Sequence, residues 1–204
     1  MSAWPGKYVI GLTGNIATGK SVVRKMLEEL GAFGIDADAL AHQAITPDAA
    51  GFQPVLKTFG EALLSPDGQI DRTALGQVVF ADPQALAKLE AIIHPLVRQA
   101  LHEQISSASQ KVIVIEAIKL IEGGLYLLCD AVWVTFSPPA LQVARLLEKR
   151  GMQEAAARQR IEAQSAQERK LEFASVVIAN HGTLEDTWQQ VSNKWRETLP
   201  PEMQ

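Results

Sequence analysis

The sequence has little with which to staple or anchor itself. It holds one cysteine, Cys129, in 204 residues, which excludes an internal disulfide and suits a reducing compartment. Cys129 precedes the apolar run Ala131-Val132-Trp133-Val134 and reads as a small buried hydrophobe. No apolar run approaches the ~20 residues of a membrane helix. The best candidate, Val112 to Ile121, is broken by Glu116 and Lys119. The opening Met1-Ser2-Ala3-Trp4-Pro5-Gly6-Lys7 lacks the basic and apolar regions of a signal peptide. A cytoplasmic location away from membranes is therefore expected.

Excess positive charge is missing too. The net charge is -4 and the pI about 5.6, so general affinity for nucleic acid is not expected. Any anionic ligand must be met by a local positive cluster. His42, His94, His102 and His181 show no metal-ligand spacing, so no zinc site is expected. There is no internal repeat and no low-complexity segment. What is present is ordinary for a folded chain: 47% hydrophobic and 21% charged residues, enough apolar material for one core.

Five short apolar runs read as strands: Tyr8 to Leu12, Ala32 to Ile35, Lys111 to Ile115, Ala131 to Phe136, and Val176 to Ile178. Helical spacing fills most gaps, at Ser21 to Leu30 (stopped by Gly31), Pro138 to Arg150, Gln153 to Phe173 with a break near Gln164 to Gln167, and Thr183 to Thr198. Strands alternating with helices argue for a doubly wound, mostly parallel α/β sheet. Residues 39–105 depart from this alternation and are nearly all helical in pattern, with Gln84 to Ile105 as one long helix, bent or interrupted at Pro95. The expected organisation is one domain. Its core covers about 7–38, 108–150 and 174–200, an inserted helical lobe about 39–107, and a helical lid about 145–172.

Between the first strand and the first helix lies Gly14-Asn15-Ile16-Ala17-Thr18-Gly19-Lys20-Ser21, a full G-x-x-x-x-G-K-[ST] phosphate loop. Its glycines let backbone amides turn onto phosphates, Lys20 offers a mobile cation to β and γ oxygens, and Ser21 offers a hydroxyl to Mg²⁺. The helix that starts here adds its dipole. All eight residues, with Val22 beside them, are expected to bind ATP. The base-reading N-K-x-D of GTP switches is absent, and the strand ending at Glu116 carries one acid in place of an Asp-Glu pair. That favours transfer to a bound acceptor over hydrolysis.

Asp36-Ala37-Asp38 follows the second strand, and in doubly wound folds ligands collect at carboxyl strand ends. An acceptor hydroxyl needs a carboxylate within reach of its proton. Asp38 is the expected base, with Asp36 next. A helix cap is the competing reading of Asp38, since Asp favours that position.

With these residues, a resemblance becomes specific. Gly11-Leu12-Thr13-Gly14 with the loop, and Ile35-Asp36-Ala37-Asp38-Ala39-Leu40-Ala41, resemble the dephospho-CoA kinase family. So do Phe59-Gly60 with Asp67-Gly68-Gln69-Ile70-Asp71-Arg72, Val79-Phe80, Leu89-Glu90-Ala91-Ile92-Ile93-His94-Pro95, Arg160-Ile161-Glu162-Ala163-Gln164, and Val177-Ile178-Ala179-Asn180-His181-Gly182. The resemblance implies a five-stranded sheet of the P-loop nucleoside and nucleotide kinase type. It also implies transfer of the ATP γ-phosphoryl group to the ribose 3′-hydroxyl of dephospho-CoA, with ATP and Mg²⁺. By the same resemblance, Thr13, Asp36, Asp38, His94, Arg98, Glu122 and Arg160 would contact the acceptor, and Asn180 the adenine. His94 beside Pro95 has a bland alternative as a buried histidine at a helix kink.

Some residues depart from the family. Its loop commonly reads G-G-I-G-S-G-K-S, where this chain has Asn15 and Ala17. Asn tolerates positive φ and Ala is small, so binding should survive. The family's D-x-P-L-L-x-E appears as Glu116-Ala117-Ile118-Lys119-Leu120-Ile121-Glu122, and Ser175 stands where Asp is usual.

The required positive cluster is at Arg145, Lys149, Arg150, Arg158, Arg160, Arg169 and Lys170. Arginines that close over a transferring phosphoryl group stabilise its charge and exclude water. Arg145 is the expected transition-state residue, with Arg150 and Arg160 behind it. Arg158, Arg169 and Lys170 read as solvated ion pairs with nearby glutamates. Two alternatives stay open at this point, a P-loop kinase for another nucleoside or nucleotide and a non-catalytic ATP-binding module. The partners expected are ATP and dephospho-CoA alone, with the chain a monomer or weak homo-oligomer.

Overall fold

The computed structural model describes residues 3–203. They fall into two compact units: residues up to Asp36 together with those from Ala108 onward, and Ala37–Ser107. The first unit contains β1 (Tyr8–Thr13), α1 (Lys20–Glu29) and β2 (Phe33–Asp36). The second contributes α2 (Ala37–Gln43), α3 (Phe52–Phe59), α4 (Arg72–Ala81) and α5 (Pro83–Ser107). The chain then returns to the first unit with β3 (Val112–Glu116), β4 (Ala131–Phe136), α6 (Pro139–Arg150), α7 (Glu154–Glu162), α8 (Gln167–Leu171), β5 (Val176–Ala179) and α9 (Leu184–Thr198).

All five strands pair in parallel, in the order β2-β3-β1-β4-β5. Parallel strands are covered on both faces and so read as continuous apolar runs rather than alternating ones. Val112–Glu116 is buried at every position, as are Val9 to Thr13 of β1. Trp133 of β4 lies at the centre of a core with Val23 and Leu27 from α1 and Val191 and Trp195 from α9. The helix α9 is fixed at its start by a reciprocal cap, in which Thr183 Oγ1 accepts from the Asp186 amide and Asp186 from the Thr183 amide. The strand order reverses at β1, which has β3 on one side and β4 on the other. The crevice beyond its carboxyl end is thus where this architecture gathers ligands.

The helical unit has its own core of Phe52, Val55, Leu56, Ile70, Leu75 and Val79, packed by Leu89, Ile92 and Ile93 of α5. Asp71 caps α4 by accepting from the amides of Thr73 and Ala74. Of the bend or interruption expected at Pro95, the interruption is absent: α5 is one long helix from Pro83 to Ser107 with Pro95 inside it. In the first unit, the expected break near Gln164 to Gln167 does occur, as the gap between α7 and α8. Among the described residues no helix is long and apolar enough to cross a membrane. Burial and the neighbouring Asp130 push the Cys129 thiol up to about 12, which fits a packed hydrophobe rather than a reactive group.

Candidate active site

The phosphate loop spans the step from β1 to α1. Its two outer glycines are dictated by close neighbours. A side chain at Gly14 would run into Thr135, and one at Gly19, which holds φ 96°, into the amide of Asn180. Asn15, which as an asparagine tolerates positive φ, does not use that tolerance. Ala17 takes φ 60°, the one non-glycine residue with positive φ among those described. Thr18 is fully buried, with its hydroxyl bonded to the Asn15 carbonyl at 2.8 Å and to Thr135 Oγ1 at 2.7 Å. Lys20 Nζ folds over the loop and donates to the carbonyls of Gly14 (2.9 Å) and Asn15 (3.3 Å). Its cation therefore lies inside the loop that must hold phosphate. The Val22 amide donates to the Gly19 carbonyl while its side chain packs on the core.

Glu116 is a residue the sequence reading passed over as a site group. It ends β3, is 4% exposed, and is parallel-registered with Asp36 at the end of β2. Its Oε1 accepts from Ser21 Oγ at 2.8 Å and its Oε2 from Arg24 Nε at 2.7 Å. Mg²⁺ favours one or two carboxylates combined with substrate phosphates and water over an all-protein cage. The donor set here fits that chemistry: a serine hydroxyl and a buried carboxylate beside the phosphate loop. Among the described residues no group of three or more His, Cys, Asp or Glu is placed to hold a metal alone. The signal available in the sequence was an acid closing a wholly apolar strand.

Arg145, on α6, extends along the loop. Its Nη1 donates to the Ala17 carbonyl (3.0 Å) and to Ser137 Oγ (2.9 Å), and its Nη2 to the Asn180 carbonyl (2.9 Å). Asn180, which follows β5, is 5% exposed and donates to the Thr18 carbonyl at 3.0 Å. Asn180 and Arg145 thus brace the same stretch of loop from the β4–β5 side. The helices α6 and α7 supply Val143, Leu146 and Ala157, which pack against Ile16.

Several expected site residues have hydrogen-bond partners within the protein. Thr13 is fully buried and donates to the Ile118 carbonyl at 3.1 Å. Glu122 holds Lys170: its Oε1 and Oε2 accept from Nζ at 2.8 and 3.1 Å, and Oε1 also accepts from Ser165 Oγ. Burial raises the Glu122 carboxyl, but the hydrogen bonds from Lys170 and Ser165 outweigh it and hold it below the usual carboxylate range. Lys170 is not the solvated lysine expected. It is 2% exposed and donates also to the Ile118 carbonyl at 2.7 Å, which satisfies a charge that burial alone would make costly. Arg158 does form a surface pair, with Glu154 at 2.7 Å. Arg150 and Arg160 are exposed.

In the helical unit Asp38 lies within the first turn of α2 instead of preceding the helix as a cap. His94 is half-buried and Arg98 exposed, both on α5. Asp36 belongs to the first unit, half-buried at the carboxyl end of β2.

Comparison with known proteins agrees with this geometry. A profile of the dephospho-CoA kinase family matches residues 8–186. A dephospho-CoA kinase of Geobacter metallireducens is 41% identical over 194 residues, covering 94% of this chain and 96% of that protein. The crystal structure of TT1252 from Thermus thermophilus superposes with a TM-score of 0.84 at 31% identity, over 95% of this chain and 99% of that one. The dephospho-CoA kinase from Campylobacter jejuni superposes at 0.66 with 30% identity, over 94% and 96%. A phosphate loop, a buried strand-end acid against its serine, and relatives matched along nearly the whole chain lead to one conclusion: the chain belongs to the dephospho-CoA kinase family.

Proposed function

We propose a division of labour by which this kinase transfers the γ-phosphoryl group of ATP to the ribose 3′-hydroxyl of dephospho-CoA, yielding CoA and ADP. The observation that carries it is the Ser21–Glu116 hydrogen bond at 2.8 Å beside Lys20. It gathers a hydroxyl, a carboxylate and an ammonium at the carboxyl ends of adjacent parallel strands.

The amides of Gly14 to Ser21 and the Lys20 ammonium hold the phosphates. Ser21 Oγ and a Glu116 oxygen would hold Mg²⁺, which when bound neutralises charge on the β and γ oxygens. Asp38 takes the proton of the 3′-hydroxyl as that oxygen bonds to the γ phosphorus, and the β–γ bridging oxygen leaves with ADP. Family resemblance and the place of Asp38, two residues beyond the end of β2, support this role. Arg150 and Arg160 are exposed cations suited to meet phosphoryl oxygens. Arg145 braces Ala17 and Asn180 through its Nη donors, and its guanidinium beside the loop is the proposed stabiliser of charge in the transition state. Asn180 walls the adenine side. On the acceptor side, Asp36, His94 and Arg98 retain their proposed contacts, whereas Thr13 and Glu122 are already engaged within the protein. The enzyme acts in the cytoplasm as a monomer or weak homo-oligomer, without nucleic acid or membrane.

A coupled ADP-release assay across dephospho-CoA, adenosine and nucleoside monophosphates tests the reading. Turnover is expected with dephospho-CoA and at least about 100-fold weaker with the others. Turnover confined to another acceptor would overturn it.

A further inference from the structure

The phosphate loop is tied to the turn that joins α7 and α8. The Ile16 amide donates to Gln164 Oε1 at 2.7 Å, and Asn15 Nδ2 donates to the Ser165 carbonyl at 3.1 Å. That turn is itself held from behind, because Ser165 Oγ donates to Glu122 and Lys170 anchors the same carboxylate. The ties fall immediately before Ala17, the left-handed residue, whose carbonyl is held by Arg145 at 3.0 Å. A left-handed alanine is unfavourable, and such a conformation persists only where its surroundings over-determine it. Here the Asn15–Ile16 peptide, one peptide ahead of the one that enters Ala17, is fixed by Gln164, and the Ala17 carbonyl by Arg145.

We infer that Gln164 is a positioning residue for ATP: by holding the Ile16 amide it keeps Ala17 left-handed and so keeps the loop in its phosphate-binding shape. Asn15 reinforces it from the next residue. This rests on the reading of Gly14 to Ser21 as the ATP phosphate loop.

The test is a kinetic cycle on the intact enzyme with ATP varied, comparing wild type, Gln164→Met, Ala17→Gly and the double variant. Met keeps the length of Gln and removes the acceptor. Gln164→Met is expected to raise KM for ATP about five-fold, the size of one lost hydrogen bond, with KM for dephospho-CoA unmoved. In the Ala17→Gly background the same change is expected to raise it less than about two-fold, since glycine adopts the turn unaided. Equal rises in both backgrounds, or a fall in kcat with KM for ATP unchanged, would overturn the inference. A merely structural Gln164 gives that result. If Gln164→Met does not fold, Asn15→Gly enters the same cycle under the same criteria. Binding of a fluorescent ATP analogue to wild type and Lys20→Ala separates the underlying reading. Weaker binding by the variant supports the loop assignment, and equal binding removes it and this inference together.

Discussion

The Ser21 hydroxyl donates to Glu116 Oε1 across 2.8 Å, joining the first turn of α1 to the last residue of β3. The other oxygen of the same carboxylate is taken by Arg24, which also pairs with Glu28 at 2.6 Å. Glu116 is thus oriented by a cation on one side and offers its remaining lone pairs towards the serine. Hydroxyl and carboxylate oxygens are what a hard divalent ion prefers.

Glu116→Gln should therefore weaken the apparent affinity for Mg²⁺ by about 10- to 100-fold, the range for carboxylates that hold or orient metal ligands. Titrating activity against Mg²⁺ at saturating ATP measures this. An unchanged half-saturation point would make Glu116 a partner of Arg24 and nothing more.

Ala17 offers a test on stability. At φ 60° it carries a cost of about 1–2 kcal/mol that glycine escapes, against about 0.4–1 kcal/mol for glycine's extra freedom in the unfolded chain. Ala17→Gly should raise Tm by about 1–4 °C in a chain of this size. A lower Tm in thermal denaturation would show that the loop gains more from a methyl group than from relief of strain.

Much of this arrangement was legible from residues taken singly. Gly14 to Ser21 announce their role by spacing, and the parallel strands announce theirs by unbroken apolar runs such as Val112 to Ile115. What escaped is relational. Glu116 meets a residue 95 positions away, and no local pattern encodes that pairing. Lys170 sits among Glu168, Arg169 and Glu172, a composition that suggests solvent, yet its partners Glu122 and Ile118 come from the segment after β3. The left-handed residue landed on Ala17 because neighbours in space, Gln164 and Arg145, set the backbone there. Residue propensity alone favoured Asn15.

The division between binding and chemistry is tested by Asp38 and Lys20. Asp38→Asn should lower kcat by about 10²–10⁴-fold, the contribution of a positioned general base, while ATP affinity stays near wild type. Lys20→Ala should weaken both. Isothermal titration with ATP, paired with the ADP-release assay, separates the two. Loss of ATP affinity in Asp38→Asn would move Asp38 from base to structural residue.

The Glu122–Lys170 pair ties the segment after β3 to α8, and its contribution has a pH signature. Hydrogen bonds from Lys170 and Ser165 hold the folded carboxyl below its ordinary value of 4.5. A depressed carboxyl stabilises the fold fully above the unfolded value and loses that contribution as pH falls through the folded one. Glu122→Gln removes the titration and leaves the buried Lys170 ammonium without its counter-charge. At pH 7 the variant should therefore melt about 2–4 °C below wild type, as expected of roughly 1 kcal/mol in a partly screened pair. The gap should narrow steadily below about pH 4.5, as the wild-type carboxyl takes up its proton and ceases to differ in charge from the amide. Thermal melts of both proteins from pH 7 to pH 3 measure this. A gap that is constant across the range would mean that Glu122 acts through its hydrogen-bond geometry alone and that its charge contributes nothing to anchoring α8.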